Sequence, residues 1–500
     1  MYLEPPAAGG GKLLVGGKVG VYRLENCGAK CRACRSCHGV FSCCEINVHL
    51  AVWEQTRTTM KTNKTINGSL PAETSNKGTG TINRREFLRT TAGTAAATIA
   101  TAPFISAHKV FGANERLGIG FIGAGGRAGN HMQTLHYLKT QMNEQVEMIG
   151  VADLYRPRAK QRAEAFQMKA YSHYHELLAD RNIDVVCIAT PDHHHGYQAL
   201  DAVKAGKDVY CEKPVTHWRQ FELTKKLAEA VRASDRVFQL GTQGMSDSAW
   251  HQMRRLIQDG LIGRPIHAEC GYFRVGDWGE RGMPIDDPDA KPGPDLDWDG
   301  FLGDAPKRAF DVSRFFRWRM YEDYAGGPST DLLSHSLTPV LYMLGVDFPS
   351  KVVATGGMFR YTEREVPDTF NMLVDYPEKL TVVVMGTQGN NYEGTGGRGS
   401  TGRIPIIRGW EGTLTIQGKE IVFIPAEGSK KEAQRWPIER DQNDVVFWRH
   451  FLECCRTRER QTWSTMDLAY RVQTALIMGM LSMKNDKAAR FDPEKQQLII

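Results

Sequence analysis

The sequence has no apolar run of transmembrane length after residue 113, so we expect no integral membrane span beyond a leader. Its main part also lacks a strong charge excess. Of 63 Lys and Arg and 57 Asp and Glu in the chain, residues 1–113 hold 14 and 6, which leaves 49 and 51 for the remainder. A nearly neutral body offers no basic surface to a polyanion, so we expect no nucleic-acid partner.

Cysteine is scarce outside the first 59 residues. Five of the 11 cysteines lie in the body of the chain, at Cys187, Cys211, Cys270, Cys454 and Cys455. The first three stand in apolar, strand-like contexts that are typical of packed thiols. The last two are adjacent on a predicted helix, point in different directions and are poor partners for each other. The sequence therefore predicts no disulfide scaffold and no metal site in the body.

Residues 83–113 resemble a twin-arginine (Tat) export signal. Arg84 and Arg85 precede Phe87 and Leu88, and a weakly apolar stretch rich in Ala and Thr follows. Paired arginines ahead of a modestly apolar segment are typical of such signals. The alternative is a surface helix with a chance arginine pair, but a run of Ala and Thr would make a poor amphipathic helix. We therefore expect export to the periplasm or the cell envelope.

Residues 1–82 form an extension ahead of that signal. Cys27, Cys31 and Cys34 have the spacing of a cluster-binding loop, so a zinc or iron–sulfur module is one interpretation. Signal peptides normally begin close to an N-terminus, however, and Met60 opens a polar stretch that would suit the start of one. We therefore expect residues 1–82 to be disordered or absent from the natural product, with residues 1–59 an upstream translation.

Alternating strands and helices begin near residue 114. An apolar strand over residues 117–122 leads into Gly123-x-Gly125-x-x-Ala128. The first glycine permits a tight turn, and the second lets a pyrophosphate approach the backbone at a helix N-terminus, whose dipole favours anions. Such a motif is typical of dinucleotide-binding domains when it joins a strand to a helix.

The next strand ends at Asp153. An acidic residue at this position would bind the adenosine ribose hydroxyls and repel a 2′-phosphate, which favours NAD over NADP. Arg156 and Arg158 follow closely and could accommodate a phosphate. The alternative is an acidic strand end with no ligand.

Three further strand patterns, "DVVCIATP", "DVYCEKPV" and "RVFQLGTQ", alternate with helical patterns. This succession predicts a doubly wound parallel sheet, a Rossmann domain over residues 114–240, whose strand C-termini face a cofactor crevice. Glu212 and Lys213 would then lie at the tip of a central strand. The histidines of "TPDHHH" are predicted to form a polar loop near the nicotinamide and not a metal site.

Three motifs together, "GIGFIGAGGRAG", "CIATPDHHH" and "CEKPVT", resemble the Gfo/Idh/MocA family of oxidoreductases over residues 115–495. The resemblance implies a second α+β domain over residues 241–500 with an open, mostly antiparallel sheet. That domain would bind substrate and mediate a homo-oligomer, a dimer or a tetramer, and its C-terminal helices would return to the Rossmann domain. The cofactor-binding residues expected on NAD or NADP are Gly123, Gly125, Gly126, Arg127, Asp153, Thr190, Pro191, His195 and Glu212.

By position, Lys213 matches the catalytic lysine of the family, and Asp331 and His335 match its Asp-x-x-x-His pair. An Asp and a His four residues apart share one face of a helix. A histidine tuned by a carboxylate can take a hydroxyl proton while a hydride leaves the same carbon. A lysine at solvent and a histidine packed in a helix are the alternatives. The sequence leaves either Lys213 or His335 as the base.

Substrate contacts are expected from the second domain. Tyr272, Trp318, Arg319 and Tyr324 are the candidates, because aromatic faces and fork-like donors suit a polyhydroxylated ring. Ordinary packing in a sheet would use the same residue types.

The predicted function is hydride transfer between NAD(P) and a carbon-bound hydroxyl of a sugar, a cyclitol or a sugar derivative. Free cofactor is scarce outside the cytoplasm, so an exported enzyme would carry a tightly bound cofactor. The same cofactor would also serve an exported glycosidase that works by oxidation, elimination and reduction. A cofactor-binding homologue without activity is the third alternative.

Overall fold

The computed structural model describes residues 116–276 and 283–500. The N-terminal extension with its cysteine cluster and the Tat-like signal over residues 83–113 lie outside the described residues.

The first sheet has 6 strands in the order β3-β2-β1-β4-β5-β6, and all of its pairs are parallel. The strands are β1 (Leu117–Ile122), β2 (Val146–Ala152), β3 (Lys169–Tyr171), β4 (Val185–Ile188), β5 (Asp208–Cys211) and β6 (Phe238–Leu240). The helices between them are α1 (Gly126–Gln141), α2 (Arg156–Phe166), α3 (Tyr174–Ala179), α4 (Asp192–Lys204) and α5 (Phe221–Ala233). This strand order is that of a dinucleotide-binding Rossmann fold, and the predicted doubly wound sheet is confirmed.

The central strands of this sheet are buried along their whole length. Continuous burial is expected where helices cover both faces of a parallel sheet, and it explains the unbroken apolar runs in the sequence. The polar residues that follow each run are therefore pushed to the carboxyl edge.

The second sheet has 11 strands in the order β15-β14-β13-β12-β7-β10-β9-β8-β16-β17, with β11 beside β7. Its strands are β7 (Pro265–Val275), β8 (Lys351–Gly357), β9 (Thr369–Tyr376), β10 (Leu380–Thr387), β11 (Gly389–Asn390), β12 (Ile406–Gly409), β13 (Gly412–Gln417), β14 (Glu420–Pro425), β15 (Gln434–Pro437), β16 (Ala489–Asp492) and β17 (Gln497–Ile499). The β7–β10 pair is parallel and the other pairs are antiparallel, so the expected mostly antiparallel second sheet is confirmed.

Helices of the second half cover one face of this sheet. In β10 buried and half-buried residues alternate, as expected for a strand with one covered face. The helices are α6 (Ser248–Gln258), α7 (Trp298–Leu302), α8 (Val312–Phe316), α9 (Pro328–Asp331), α10 (Leu333–Leu344), α11 (Asp444–Thr457) and α12 (Met466–Asn485).

Helix α11 packs against the first sheet and not only within its own half. The Trp448 ring stacks on Tyr210 of β5 with the ring centroids 4.3 Å apart. At the end of the helix, Arg458 pairs with Asp208 at 2.6 Å. The chain thus returns to the Rossmann sheet before it adds β16 and β17 to the second sheet.

Among the described residues, the helices are too short or too polar for one of them to cross a membrane. The five cysteines of the body are free and buried.

Candidate active site

A cavity of about 860 Å³ lies at the carboxyl edge of the first sheet. Its wall carries the cofactor-binding residues predicted from the sequence, together with three of the other predicted site residues. The three other site residues on the wall are Lys213, Trp318 and Arg319. The cofactor-binding residues on the wall are Gly123, Gly125, Gly126, Arg127, Asp153, Thr190, Pro191, His195 and Glu212.

The glycine turn after β1 has the shape that a pyrophosphate needs. Gly123 has φ +94°, and a Cβ there would stand 2.6 Å from the carbonyl oxygen of Ala189, so only glycine fits. A Cβ at Gly126 would meet no atom within 4 Å, since that backbone faces open space. Helix α1 starts at Gly126 with no acidic residue in its first turn. The free N–H groups and the helix dipole can therefore hold an anion.

Asp153 lies where the adenosine ribose of a dinucleotide would be bound. Its carboxylate oxygens accept hydrogen bonds from the backbone N–H groups of Ala124 at 2.7 Å and Tyr155 at 2.8 Å. The nearby Arg158 pairs with Asp286 at 2.6 Å. A guanidinium that is engaged by a carboxylate is less available to a 2′-phosphate, and Asp153 would repel one. These residues fit NAD.

The Glu212 carboxylate is buried at the tip of β5. Arg127 Nε donates to Oε1 at 2.7 Å, and His131 Nε2 lies 2.8 Å from the same oxygen. Trp448 donates to the other ring nitrogen of His131 at 3.0 Å, so the His131 proton is on Nε2 and points at Glu212. Burial would raise the pKa of Glu212, but Arg127 and His131 hold that pKa well below its usual range. Glu212 is therefore a fixed anion.

Lys213, the next residue, reaches across to the second half of the chain. Its Nζ donates to Asp331 Oδ1 at 2.5 Å and to the Asp331 carbonyl oxygen at 2.9 Å. Arg319 Nε stands 3.5 Å from the same carboxylate. Burial would raise the pKa of Asp331, but Lys213 and Arg319 keep it below its usual range. Two cations thus share one buried carboxylate beside the cavity.

His335 lies behind this group and is not on the cavity wall. Asp331 ends α9 and His335 lies in α10, so the single helix expected from the sequence is two consecutive helices. The His335 side chain is buried, and its Nδ1 has no hydrogen-bond partner among the described residues. Burial and the Lys213 charge lower the pKa of His335 to about 3, which makes it a weak proton acceptor.

Two predicted substrate residues are not on the cavity wall. Tyr324 is fully buried, with its ring 5.0 Å from Phe301 and 5.0 Å from His193, so it is a core residue. Tyr272 is part of β7 and packs against the main core. Arg319 does reach the wall, where its guanidinium stacks 4.1 Å from the Trp318 ring. Residue type alone could not separate these positions, because aromatic residues serve cores and binding sites equally well.

The three consecutive histidines follow Asp192 in the first turn of helix α4 and do not form the predicted loop. The rings of His193 and His194 both bond the Phe301 carbonyl oxygen, at 2.7 and 2.9 Å. His195 lies between the carbonyl oxygens of Pro214 at 2.6 Å and Thr190 at 2.7 Å. The three rings therefore link the start of α4 to Phe301, Pro214 and Thr190 by hydrogen bonds. In the part of the chain that the structure describes, no group of three or more His, Cys, Asp or Glu is arranged to hold a metal ion.

A segment that covers the adenosine end of the cavity was predicted from the sequence only at its last two residues, Trp318 and Arg319. Leu296 forms a β-bridge with Tyr155, and the N–H of Asp297 donates to the Leu154 carbonyl oxygen at 3.0 Å. Residues of the same segment that line the cavity are Met283, Pro284, Asp286, Phe301, Phe315, Phe316 and Trp318. The dense aromatic pattern near residue 315 could have indicated that this segment lines the cavity. We call residues 283–319 the covering segment.

The sequence analysis also missed Asp192, the residue before the three histidines. It is 1% exposed, and neither carboxylate oxygen accepts a hydrogen bond from another described residue. Burial and the Asp331 charge raise its pKa to about 8. An acidic residue just after a strand end could have indicated a site residue, but the three histidines that follow Asp192 drew the interpretation instead.

Models of one oxidoreductase family match both halves of the chain. The family's NAD-binding Rossmann fold matches residues 117–242, and its C-terminal alpha/beta domain matches residues 246–500. The chain belongs to the Gfo/Idh/MocA oxidoreductase family. Membership in this family confirms the resemblance drawn from the three sequence motifs and the expected NAD-binding domain.

Curated relatives of this family member include dehydrogenases of inositols. An inositol 2-dehydrogenase from Rubrobacter xylanophilus is 28% identical over 156 residues, which is 31% of this chain and 43% of the relative. A scyllo-inositol 2-dehydrogenase (NAD(+)) from Bacillus subtilis is 33% identical over 129 residues, 26% of this chain and 37% of the relative. The matched stretch thus spans less than half the length of either relative.

Solved structures show the same fold over a longer stretch. A levoglucosan dehydrogenase in complex with NADH and levoglucosan superimposes with a TM-score of 0.56 at 18% identity, covering 75% of this chain and 99% of that one. The WlbA dehydrogenase from Chromobacterium violaceum, in complex with NADH and UDP-GlcNAcA, gives a TM-score of 0.57 at 16% identity, covering 77% and 99%. At these identities the likeness establishes the fold alone.

Replacing Gly125 with Ala should weaken NADH binding by about tenfold or more, ~1.4 kcal/mol, and leave folding intact. The added Cβ enters the space that a pyrophosphate needs, yet its nearest neighbour is Arg158 Nη1 at 3.9 Å. NADH fluorescence titration and thermal melting measure the two effects. Gly293→Ala, whose Cβ would meet no atom within 4 Å, is the matched control. Wild-type NADH affinity in Gly125→Ala would contradict the placement of the pyrophosphate.

The free energy of unfolding should fall as the pH drops from about 6.5 to about 4. Burial lowers the pKa of His217 to about 4 and of His335 to about 3, whereas in the unfolded chain both rings bind a proton near pH 6.5. The unfolded state therefore takes up more protons in this window. Urea unfolding at several pH values checks the slope. His217→Gln should reduce the slope of the free energy of unfolding against pH. His136→Gln, which replaces an exposed ring, should leave that slope unchanged. Equal slopes in the wild type and both variants would refute the explanation.

Proposed function

We propose that this chain is an NAD-dependent oxidoreductase that transfers a hydride between nicotinamide and a carbon-bound hydroxyl of a sugar, a cyclitol or a sugar derivative. The observation that carries the proposal is the position of Lys213 on the cavity wall, next to Glu212 and paired at 2.5 Å with Asp331. A cation held there can meet a substrate hydroxyl at the inner end of a dinucleotide site. Relatives named for inositols and a neighbour bound to levoglucosan support a polyhydroxylated substrate.

Each side chain of the group has a distinct proposed role. Lys213, in its neutral amine form, binds the substrate hydroxyl and takes its proton, because of the two candidate bases it is the one on the cavity wall. Asp331 holds the Lys213 amine in place, and Arg319 offers further donors to substrate oxygens. His335, with its pKa near 3, packs behind them as a neutral ring. NAD, when bound, supplies the hydride acceptor.

The covering segment supports a tightly bound cofactor. It is tied by backbone hydrogen bonds to the loop that follows Asp153, and Asp286 of the segment pairs with Arg158 of the same site. A dinucleotide in the cavity would therefore lie between the sheet edge and this segment. Retention of the cofactor suits the proposed export, which the Arg84–Arg85 pattern supports.

A homo-oligomer, dimer or tetramer, is also part of the proposal. On the second sheet Val353 and Leu373 are cross-strand neighbours and are 44% and 50% exposed. Exposed apolar residues side by side on a sheet face support association through that face.

Denaturing the purified protein should release NAD. The site fits NAD because Asp153 lies at the ribose end and Arg158 is engaged by Asp286. Mass spectrometry and absorbance of the supernatant identify the dinucleotide. Recovery of NADP would contradict the specificity, and recovery of neither would contradict tight binding.

Lys213→Ala should lower turnover of an accepted polyol by about 10²–10⁴-fold, because the group that takes the hydroxyl proton is lost. The assay measures NADH formation with a panel that includes myo-inositol and levoglucosan. Lys226→Ala, at an exposed position on α5, is the control and should keep wild-type turnover. Wild-type activity in Lys213→Ala would refute the assignment.

Two further outcomes of this assay separate the alternatives. Release of sugar from an aryl glycoside without added NAD would favour the glycosidase, which would use the same residues. Bound NAD without turnover of either substrate class would favour the cofactor-binding homologue.

A further inference from the structure

The adenosine end of the cavity holds an acid and an arginine that favour opposite cofactors. Asp153 follows strand β2, and Arg158 lies in the first turn of α2 with its Nη1 3.9 Å from Asp153 Oδ2. Both side chains line the cavity. An acid at this position binds the ribose hydroxyls of NAD, whereas an arginine nearby accommodates the 2′-phosphate of NADP. These two residues alone would therefore fit either cofactor.

A third residue, Asp286 of the covering segment, engages the arginine. Its Oδ2 accepts hydrogen bonds from Arg158 Nε at 2.9 Å and from Arg158 Nη2 at 2.6 Å. The guanidinium carbon also lies 5.5 Å from the centre of the Phe316 ring and 5.7 Å from the centre of the Tyr155 ring. Burial would lower the pKa of Arg158, but the charges of Asp153 and Asp286 raise it above its ordinary value. The charged guanidinium is thus directed at a carboxylate that itself lines the cavity.

The covering segment is also fixed by contacts that do not depend on Asp286. The N–H of Arg156 donates to the Asp295 carbonyl oxygen at 2.9 Å. The Tyr155 hydroxyl donates to Asp287 Oδ2 at 3.4 Å. Loss of the Asp286 charge should therefore leave the segment in place and act on the partner of that charge.

A carboxylate and a phosphate are the same kind of partner for a guanidinium, since both offer charged oxygens to its fork of donors. We propose that Asp286 is a specificity-determining residue that makes this chain select NAD over NADP. Its carboxylate occupies the donors of Arg158 that a 2′-phosphate would need, so NADP has to displace it. The inference deepens the proposed function and rests on it, because it concerns the cofactor of the same site.

The test compares the binding of NADH and NADPH without any substrate. Purified protein is stripped of nucleotide with charcoal, and both dissociation constants are measured by fluorescence titration. Asp286→Asn keeps the size of the side chain but removes its charge. We expect the affinity for NADPH to rise about tenfold relative to that for NADH, because the guanidinium becomes available to the 2′-phosphate. Adding Arg158→Gln to Asp286→Asn should abolish this gain, since the gain depends on the guanidinium.

The control is a second acidic residue of the covering segment. Asp289→Asn removes one negative charge from an exposed position and should leave the ratio of the two affinities unchanged. An unchanged ratio in Asp286→Asn, or a gain that persists without Arg158, would overturn the proposal. A wild type that binds neither nucleotide would overturn it together with the proposed function. Nucleotide binding without turnover of any polyol would overturn the proposed function alone.

Discussion

The 2.5 Å contact between Lys213 Nζ and Asp331 Oδ1 is the constraint around which the site is built. The lysine lies two residues after strand β5 of the parallel sheet, and the carboxylate ends helix α9 of the second half. Both side chains are largely removed from water, with 12% and 10% exposure, so neither charge can be left without the other. Arg319 adds to the pair. Burial, together with the charges of this group, raises the pKa of Asp192 and lowers that of His335.

The residue before Lys213 is held by a second buried charge network. Glu212 bonds Arg127 and His131 of α1, and Trp448 of α11 fixes the tautomer of His131. Glu212 and Lys213, adjacent residues at the tip of β5, thus connect helices α1, α11 and α9. The acid and the lysine that interrupt an apolar strand are explained by this position, because the carboxyl edge of the sheet is where the elements meet.

Much of the fold and the cofactor end of the site could be predicted because local chemistry specifies them. Apolar runs ending in polar residues predicted five of the six parallel strands, and β3, which is short and largely exposed, was not predicted. At the glycine turn, only glycine tolerates the φ of +94° at Gly123. Tyr324 and Tyr272 were proposed for the substrate on residue type, and the structure places them in packed positions. Most of the covering segment and Asp192 were missed, since their significance lies in contacts and charges that come mainly from residues more than a hundred positions away.

The sequence by itself determined the doubly wound sheet, the glycine turn and the presence of an acid and a lysine at the tip of β5, because these follow from periodicity and backbone sterics. Only the tertiary structure decided which charges those residues face. It paired Lys213 with Asp331, placed His335 behind the cavity wall and left Asp192 buried without a hydrogen-bond partner among the described residues. The physical reason is that protonation depends on burial and on the charges nearby, and both are set by how distant segments pack together.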